Sequence, residues 1–228
     1  MAAKLVDAVG FNLEEFKAPP SYRRPNFLWL FVKDLALVLI FSLVVFLSVN
    51  APAYYLISRY RLAPPTATEK VEPSPPAVQT LPPQYEDNIL SIDKISVKAP
   101  VNWEVKSEEI NMRLENGVVH LAGTGRPGEG KNIFITGHSS NYWWKAGSFN
   151  TVFALLPELS EGDEIVLTYQ GKLYSYQVEK ILEVKKSELE QFVSADKEQL
   201  TLMTCVPVGT NLRRLLVIAK PTPKVESP

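Results

Sequence analysis

The sequence predicts a mostly β domain, a closed or nearly closed barrel with short helices, preceded by one N-terminal transmembrane helix. Two observations predict this arrangement. From residue 85 onward, short apolar runs alternate with turn-forming residues at regular spacing, and few stretches have a helical period. Before that point, residues 35–58 contain no charged side chain, and residues 62–84 are rich in proline.

The composition is that of an ordinary globular protein. The chain has 228 residues, of which 46% are hydrophobic and 21% are charged, and its formal net charge is −1. A face that binds nucleic acid would require a surplus of Lys and Arg. We therefore expect no nucleic-acid partner.

The first part of the chain predicts a membrane anchor. Residues 1–34 mix acidic and basic side chains with prolines, and we predict a cytoplasmic tail there. Residues 35–58 are 24 uncharged positions. At a rise of about 1.5 Å per residue, such a helix reaches roughly 36 Å, enough to cross a hydrocarbon core of about 30 Å and contact membrane lipid. Two alternatives remain, a buried core helix and a signal peptide cleaved near residues 51–53.

The charges around this run favour one orientation. Five basic residues precede it, although Arg59, Arg61 and Lys70 follow closely. The excess before the run places the N-terminus in the cytoplasm and the following domain outside. Residues 59–84 are predicted to be a proline-rich linker with an extended, polyproline-II-like backbone. The folded domain then occupies residues 85–220, and residues 221–228 form a polar tail.

The folded domain divides into short predicted strands and two small helices. The helices begin at Ser107 and at Ser187, where Ser187 and Glu190 have capping-box spacing. Pro100 is expected to interrupt the strand pattern. The glycines of residues 123–130 lack the Lys-Ser/Thr pair of a phosphate loop and precede a strand, so we expect no nucleotide site. The predicted strands are residues 89–92, 95–97, 101–105, 117–120, 132–136, 164–169, 172–184, 201–205 and 215–219.

Three side chains at strand ends can form a catalytic group. Cys205, the only cysteine, ends the strand 201–205 and excludes disulfides and cysteine-rich zinc sites. His138 ends the strand 132–136 after a glycine, and an imidazole can activate a thiol. Arg213 and Arg214 open the last strand, and a guanidinium can stabilise a thiolate or an oxyanion. An inert, buried cysteine is the alternative.

These residues resemble the signature of the sortase family. Thr201-Leu-Met-Thr-Cys205, followed nine residues later by Arg214, is similar to the family's TLxTC strand with its downstream catalytic arginine. Ile135-Thr-Gly-His138 is similar to the strand that delivers the catalytic histidine. The resemblance covers about residues 88–220, with the motifs in the family's order. It implies the sortase eight-stranded β-barrel.

The resemblance also implies roles for individual residues. Cys205 is expected to be the nucleophile, His138 the acid and base, and Arg214 the residue that stabilises the transition state. Strand alternation directs Arg213 to the opposite face of the sheet. Thr204 and His120 are expected to contact substrate or line the cleft. Packing within the strand is the alternative role for both.

The implied function is transpeptidation by a membrane-anchored cysteine enzyme. The enzyme would cleave an LPXTG-like sorting signal of surface proteins through a thioester. It would then transfer the signal to an amine acceptor, such as a peptidoglycan precursor or a protein lysine. We expect no cofactor and no metal ion. One alternative is another cysteine peptidase or acyltransferase of the cell envelope. L,D-transpeptidases of that kind have a histidine close before the cysteine, unlike this chain. The other is a non-catalytic, membrane-tethered β-domain.

Overall fold

The computed structural model describes residues 26–63, 86–141, 145 and 147–222. The predicted cytoplasmic tail up to residue 25, the linker from residue 64 and the end of the polar tail lie outside these ranges. The chain divides into two compact units, residues 1–44 and 45–228. The bounds predicted for the tail, the linker and the domain stay predictions.

Two helices precede the domain. Helix α1 is Phe27–Val49, and its most apolar 18-residue window has a mean hydropathy of 2.6 with none of that window buried. By length and composition it can cross a membrane. Helix α2 is Ala51–Leu62 and begins with Pro52 in its first turn, where a proline is tolerated. The anchor predicted at residues 35–58 covers the later part of α1 and the first part of α2, and its bounds stay a prediction.

The domain is a closed eight-stranded barrel, as predicted. The strands are β1 Ile89–Ile92, β2 Val97–Val105, β3 Val118–Leu121, β4 Asn132–Thr136, β5 Glu164–Tyr169, β6 Lys172–Val184, β7 Gln199–Val206 and β8 Arg213–Pro221. Their order around the barrel is β1-β2-β3-β4-β7-β8-β6-β5. The pairs β2–β3 and β4–β7 are parallel, and the remaining pairs are antiparallel. Two short helices, α3 Ile110–Arg113 and α4 Glu190–Val193, lie between strands.

The barrel interior is filled by branched aliphatic side chains. Alternate residues of β4 and β7 face it, including Ile133, Ile135, Leu200 and Leu202, none more than 1% exposed. This alternation decides which functional side chains point inward and which point outward.

The structure differs from the sequence predictions at two strand positions. The strand predicted at residues 95–97 begins only at Val97, where β2 starts, because Asp93–Ile95 is a 3₁₀ helix and Ser96 has a left-handed φ of 53°. Pro100 does not interrupt β2. It pairs with Ile89 of β1, and the next residue begins the pairing with β3. A proline is tolerated there because β2 exchanges one partner for the other.

The helix predicted to begin at Ser187 also begins elsewhere. A 3₁₀ helix covers Lys186–Glu188, and the Glu188 carboxylate accepts a hydrogen bond of 2.7 Å from the Lys185 N–H. The capping contact is therefore made two residues earlier than the Ser187–Glu190 spacing predicts, and α4 follows from Glu190.

Candidate active site

Strand β7 lies between β4 and β8 and brings the functional residues together. On one side, Cys205 and Arg214 are direct partners across the antiparallel β7–β8 pair. Side chains at directly opposite positions share one face of the sheet, with Cβ atoms about 5 Å apart. The side chains that carry the sulfur and the guanidinium therefore project from neighbouring positions on the same face of the sheet.

On the other side, the chain after β4 continues alongside β7. Thr136 pairs with Met203, and the Gly137 N–H then donates to the Met203 carbonyl at 3.1 Å. The Thr204 hydroxyl donates to the Gly137 carbonyl at 2.9 Å. This register carries the backbone of the next residue, His138, alongside that of Cys205.

The shared face is the outer surface of the barrel. Leu202 and Val206 of β7 belong to the interior core, so the odd-numbered Cys205 between them points outward. The thiol is partly exposed, and its Sγ lies 3.7 Å from Oδ1 of Asn211 in the loop between β7 and β8. A substrate can therefore reach the sulfur from solvent.

The backbone of His138 is fixed by a buried aromatic residue. The Phe153 N–H donates to the His138 carbonyl at 2.9 Å, and the Phe153 side chain is fully buried. The ring occupies the space above Gly137, where an added Cβ would lie 2.5 Å from its Cδ2. Glycine at position 137 therefore allows the close approach that positions His138.

Burial determines the protonation of His138. Removal of the ring from water lowers the pKa of His138 below its usual 6.5, and the negative charge of Glu115 opposes this in part. The neutral imidazole is thus favoured at neutral pH. It can accept a proton from a thiol, whereas a protonated ring forms only at some cost.

Arg214 is a buried cation, 7% exposed. Its Nη1 donates to the backbone carbonyls of Asn211 at 3.4 Å and Arg213 at 3.1 Å. Among the described residues no carboxylate forms an ion pair with it, so its charge is free to meet an anion beside Cys205. Arg213 pairs with the inward-facing Val206 position and is exposed at the end of β8.

Thr204 faces the barrel interior. It is 1% exposed, and its hydroxyl is occupied by the Gly137 carbonyl. This placement favours the supporting role over direct contact with substrate, because the hydroxyl connects β7 to the residue before His138. The expected substrate contact stays a prediction.

His120 is also buried, with 0% exposed. Its Nδ1 accepts from the Glu104 N–H at 3.3 Å, and Nε2 lies 2.8 Å from the Gly125 carbonyl. This pattern requires a neutral ring with the proton on Nε2, and burial accordingly lowers the pKa of His120. The ring packs 4.8 Å from that of Trp103. These contacts favour packing over lining of the cleft.

Sequence reasoning missed Asn211 and the contacts of α2. Residues 206–211 were recognisable only as a loop, because Pro207 and Gly209 interrupt the strand pattern. Nothing in the spacing indicated that Asn211 contacts both the thiol and, through its carbonyl, Arg214. In the part of the chain that the structure describes, no group of three or more His, Cys, Asp and Glu residues could hold a metal ion.

Comparison with known proteins identifies relatives of the domain. Residues 90–222 match the family model of the sortase domain. Sortase D of Bacillus subtilis (strain 168) is 29% identical over 136 residues, covering 58% of this chain and 62% of that protein. Sortase A of Bacillus anthracis is 30% identical over 128 residues, covering 56% of each. The chain thus matches less than two thirds of the length of either curated relative.

Solved structures of sortases are also similar to this chain. Sortase C1 from Streptococcus suis has a TM-score of 0.52 and 27% identity, covering 63% of this chain and 76% of that one. Sortase C-1 from Actinomyces oris has a TM-score of 0.51 and 31% identity, covering 60% and 73%. The family match over residues 90–222 includes β7 and β8, the strands that carry Cys205 and Arg214.

Proposed function

The chain belongs to the sortase family, and on that basis we propose that it is a membrane-anchored cysteine transpeptidase acting on a peptide sorting signal. The observation that supports the proposal is the direct pairing of Cys205 with Arg214 across β7 and β8, together with the register that carries the backbone of His138 alongside Cys205. A nucleophile, a proton carrier and a fixed cation are the groups that acyl transfer to a thiol requires.

The first half of the reaction forms a thioester. Neutral His138 takes the proton of the Cys205 thiol, and the resulting thiolate attacks the carbonyl carbon of the scissile peptide bond, so that the carbonyl electrons move onto oxygen. Arg214 stabilises this oxyanion, because its charge is buried and no carboxylate in the part of the chain that the structure describes pairs with it. When the intermediate collapses, the carbon–nitrogen bond breaks and protonated His138 donates its proton to the leaving amine.

The second half regenerates the enzyme. The amine of an acceptor attacks the thioester carbon, and neutral His138 removes the proton of the attacking nitrogen. The carbon–sulfur bond then breaks and the thiolate leaves. The low pKa that burial gives His138 suits this second step, since the ring must be neutral to act as a base.

The substrates and the location that we propose are those typical of the family. We propose an LPXTG-like signal on surface proteins as acyl donor, and a peptidoglycan precursor or a protein lysine as amine acceptor. Helix α1 would supply the anchor, with the N-terminus in the cytoplasm and the barrel outside the cell. The apolar length of α1 supports the anchor, and the basic residues before it support the orientation.

Product analysis tests the proposal. The full chain in detergent is incubated with a library of sorting-signal peptides and candidate amines, and the products are identified by mass spectrometry. We expect an acyl-enzyme on Cys205, a shortened peptide joined to an amine, and neither species with Cys205→Ala. An acyl adduct in that variant would contradict the assignment of the nucleophile.

Alkylation separates the proposal from a non-catalytic β-domain. The partly exposed thiol of the wild-type protein should react with iodoacetamide at neutral pH. Preincubation with a peptide that the enzyme cleaves should protect the thiol from alkylation. A thiol that is inert in the folded protein, together with no product from any peptide, would favour the binding domain.

A further inference from the structure

Helix α2 is packed against the domain by one face. Its residues 53, 56, 57 and 60 follow the spacing of an amphipathic helix. Ala53 is 1% exposed and forms a small apolar cluster with Ala154 and Val208. Leu56, Ile57 and Tyr60 pack against the main barrel core. This helix is therefore part of the folded domain.

The same helix contacts the loop between β7 and β8, residues 207–212. The Tyr54 hydroxyl donates to the Val208 carbonyl at 3.3 Å. The side chain of Asn50, just before α2, is buried against Gly209, where an added Cβ would lie 2.6 Å from Oδ1 of Asn50. Gly209 also has a φ of +83°, which favours glycine. The loop that follows Cys205 and precedes Arg214 thus rests on the start of α2.

The helix also contacts the segment that follows His138. Ala154, which packs against Ala53, directly follows Phe153, and the Phe153 N–H holds the His138 carbonyl. The Ser140 hydroxyl accepts a hydrogen bond of 2.9 Å from the Gly209 N–H. A single small side chain, Ala53, therefore packs on both segments at once.

This contact matters because the β4–β7 ladder ends just before His138. The β4–β7 pairing and its extension reach Gly137 and Thr204, so they do not fix the loops beyond. The Gly209–Ser140 hydrogen bond links the two loops directly, and the α2 contacts reinforce it. Catalytic rates are sensitive to displacements of about 1 Å, which can cost on the order of 100-fold.

We propose that α2 is a positioning element of the active site, in which Ala53 and Tyr54 set the distance between the His138 segment and the β7–β8 loop that carries Asn211. The inference rests on the proposed transpeptidase function. It assigns a catalytic consequence to the segment that joins the anchor helix to the barrel. None of these α2 residues touches the substrate or the reacting atoms.

Substitutions at the contact test the proposal in the full-length protein. Ala53→Leu adds side-chain volume between Ala154 and Val208 and should separate the two loops. We expect kcat to fall about 10-fold or more, with a smaller change in KM, because geometry at the reacting atoms is disturbed. Adding Val208→Ala to this variant returns space to the cluster and should recover much of the loss. Tyr54→Phe, which removes only the hydroxyl, should lower kcat by a few-fold.

Tyr55→Phe is the matched control, since Tyr55 is the next residue of the helix and is 67% exposed. We expect its kcat and KM to equal those of the wild type. Thermal melts accompany each measurement. A loss of kcat in Ala53→Leu with an intact melt, reversed in the double variant, supports positioning. If Ala53→Leu does not fold, the comparison of kcat between Tyr54→Phe and Tyr55→Phe tests the positioning role instead.

The outcomes separate the two proposals. A wild-type protein that forms no thioester with any peptide contradicts the transpeptidase function itself. An active wild type whose Ala53→Leu and Tyr54→Phe variants keep their kcat overturns the role of α2 and leaves the function standing. Loss in Ala53→Leu without recovery in the double variant would also overturn it, because the loss would then not depend on the packing against Val208.

Discussion

Cys205 and Arg214 are paired directly across β7 and β8, which places a thiol and a buried cation on one face of the barrel wall. The neighbouring Arg213 is one residue away and exposed. Two arginines that are equivalent in composition are therefore distinguished by strand alternation alone. Arg213 and Arg214 therefore serve as matched positions for testing whether the placement of the charge matters to function.

Arg214→Ala should abolish most activity, whereas Arg213→Ala should not. Removal of one oxyanion donor typically costs 10²–10³-fold in kcat, or about 3–4 kcal/mol, and we expect a loss of this order for Arg214. Arg213→Ala should change kcat by less than about threefold. Steady-state kinetics with a peptide that the wild-type enzyme cleaves measure kcat for both variants. Equal losses in the two variants would show that the charge near the site matters and the pairing with Cys205 does not.

The protonation of His138 should respond to Glu115. Burial lowers the pKa of His138, and the carboxylate of Glu115 raises it in part. Glu115→Gln removes the raising contribution, so the midpoint of the imidazole titration should move to lower pH. Proton NMR of the ring Cε1–H across pH 4–8 measures this midpoint, which should lie below about 6.5 in the wild type.

Glu108→Gln is a suitable control for that titration, because Glu108 is acidic, lies seven residues before Glu115 in the sequence and does not act on His138 in the structure.

The lowered pKa of His138 also makes the stability of the fold depend on pH in one direction. The unfolded chain binds a proton at His138 below about pH 6.5, while the folded protein resists it. The free energy of unfolding should therefore fall as the pH decreases from about 6.5 toward the folded-state pKa. A midpoint above 6.5 would contradict the dominance of burial.

Gly137→Ala should displace His138 without touching it. The added Cβ would lie 2.5 Å from Phe153 Cδ2, and the ring cannot move freely because it is fully buried. Overpacking of this kind typically costs about 1–3 kcal/mol of stability. We expect that loss in denaturant unfolding, together with a lower kcat. Gly137→Ala combined with Phe153→Leu should recover part of both, whereas recovery of stability alone would separate packing from catalysis.

The sequence was sufficient to predict the barrel and the three residues at its strand ends because each left a local pattern. Cys205, His138 and Arg214 lie directly after or within periodic apolar runs, and the order of motifs matched a known family. The start of β2 could not be predicted in the same way. Pro100 is accommodated by a change of strand partner, which depends on β1 and β3 and not on the residues beside it.

The contacts between α2 and the two loops could not be predicted from the sequence either, because they join distant segments. Ala53, Ala154 and Val208 are small apolar residues in three separate segments, and no spacing connects them. The inward or outward direction of His120 and Thr204 was also undetermined, since a strand end permits either face until the register of its neighbours is known. Local periodicity predicted the elements, and long-range register determined the environment of each polar side chain.

The side chain of Asn211, in the β7–β8 loop, contacts the Cys205 thiol. Its Oδ1 lies 3.7 Å from Cys205 Sγ, and its carbonyl accepts from Arg214. Asn211→Ala keeps the carbonyl and removes only the amide, so Arg214 should stay in place while the sulfur loses a polar neighbour. We expect kcat to fall several-fold, about 1 kcal/mol, as for loss of one hydrogen bond. Leu212→Ala, at a neighbouring position that is 72% exposed, is the matched control and should retain wild-type kinetics. Equal kinetics in the two variants would show that the amide near the sulfur does not contribute to the reaction.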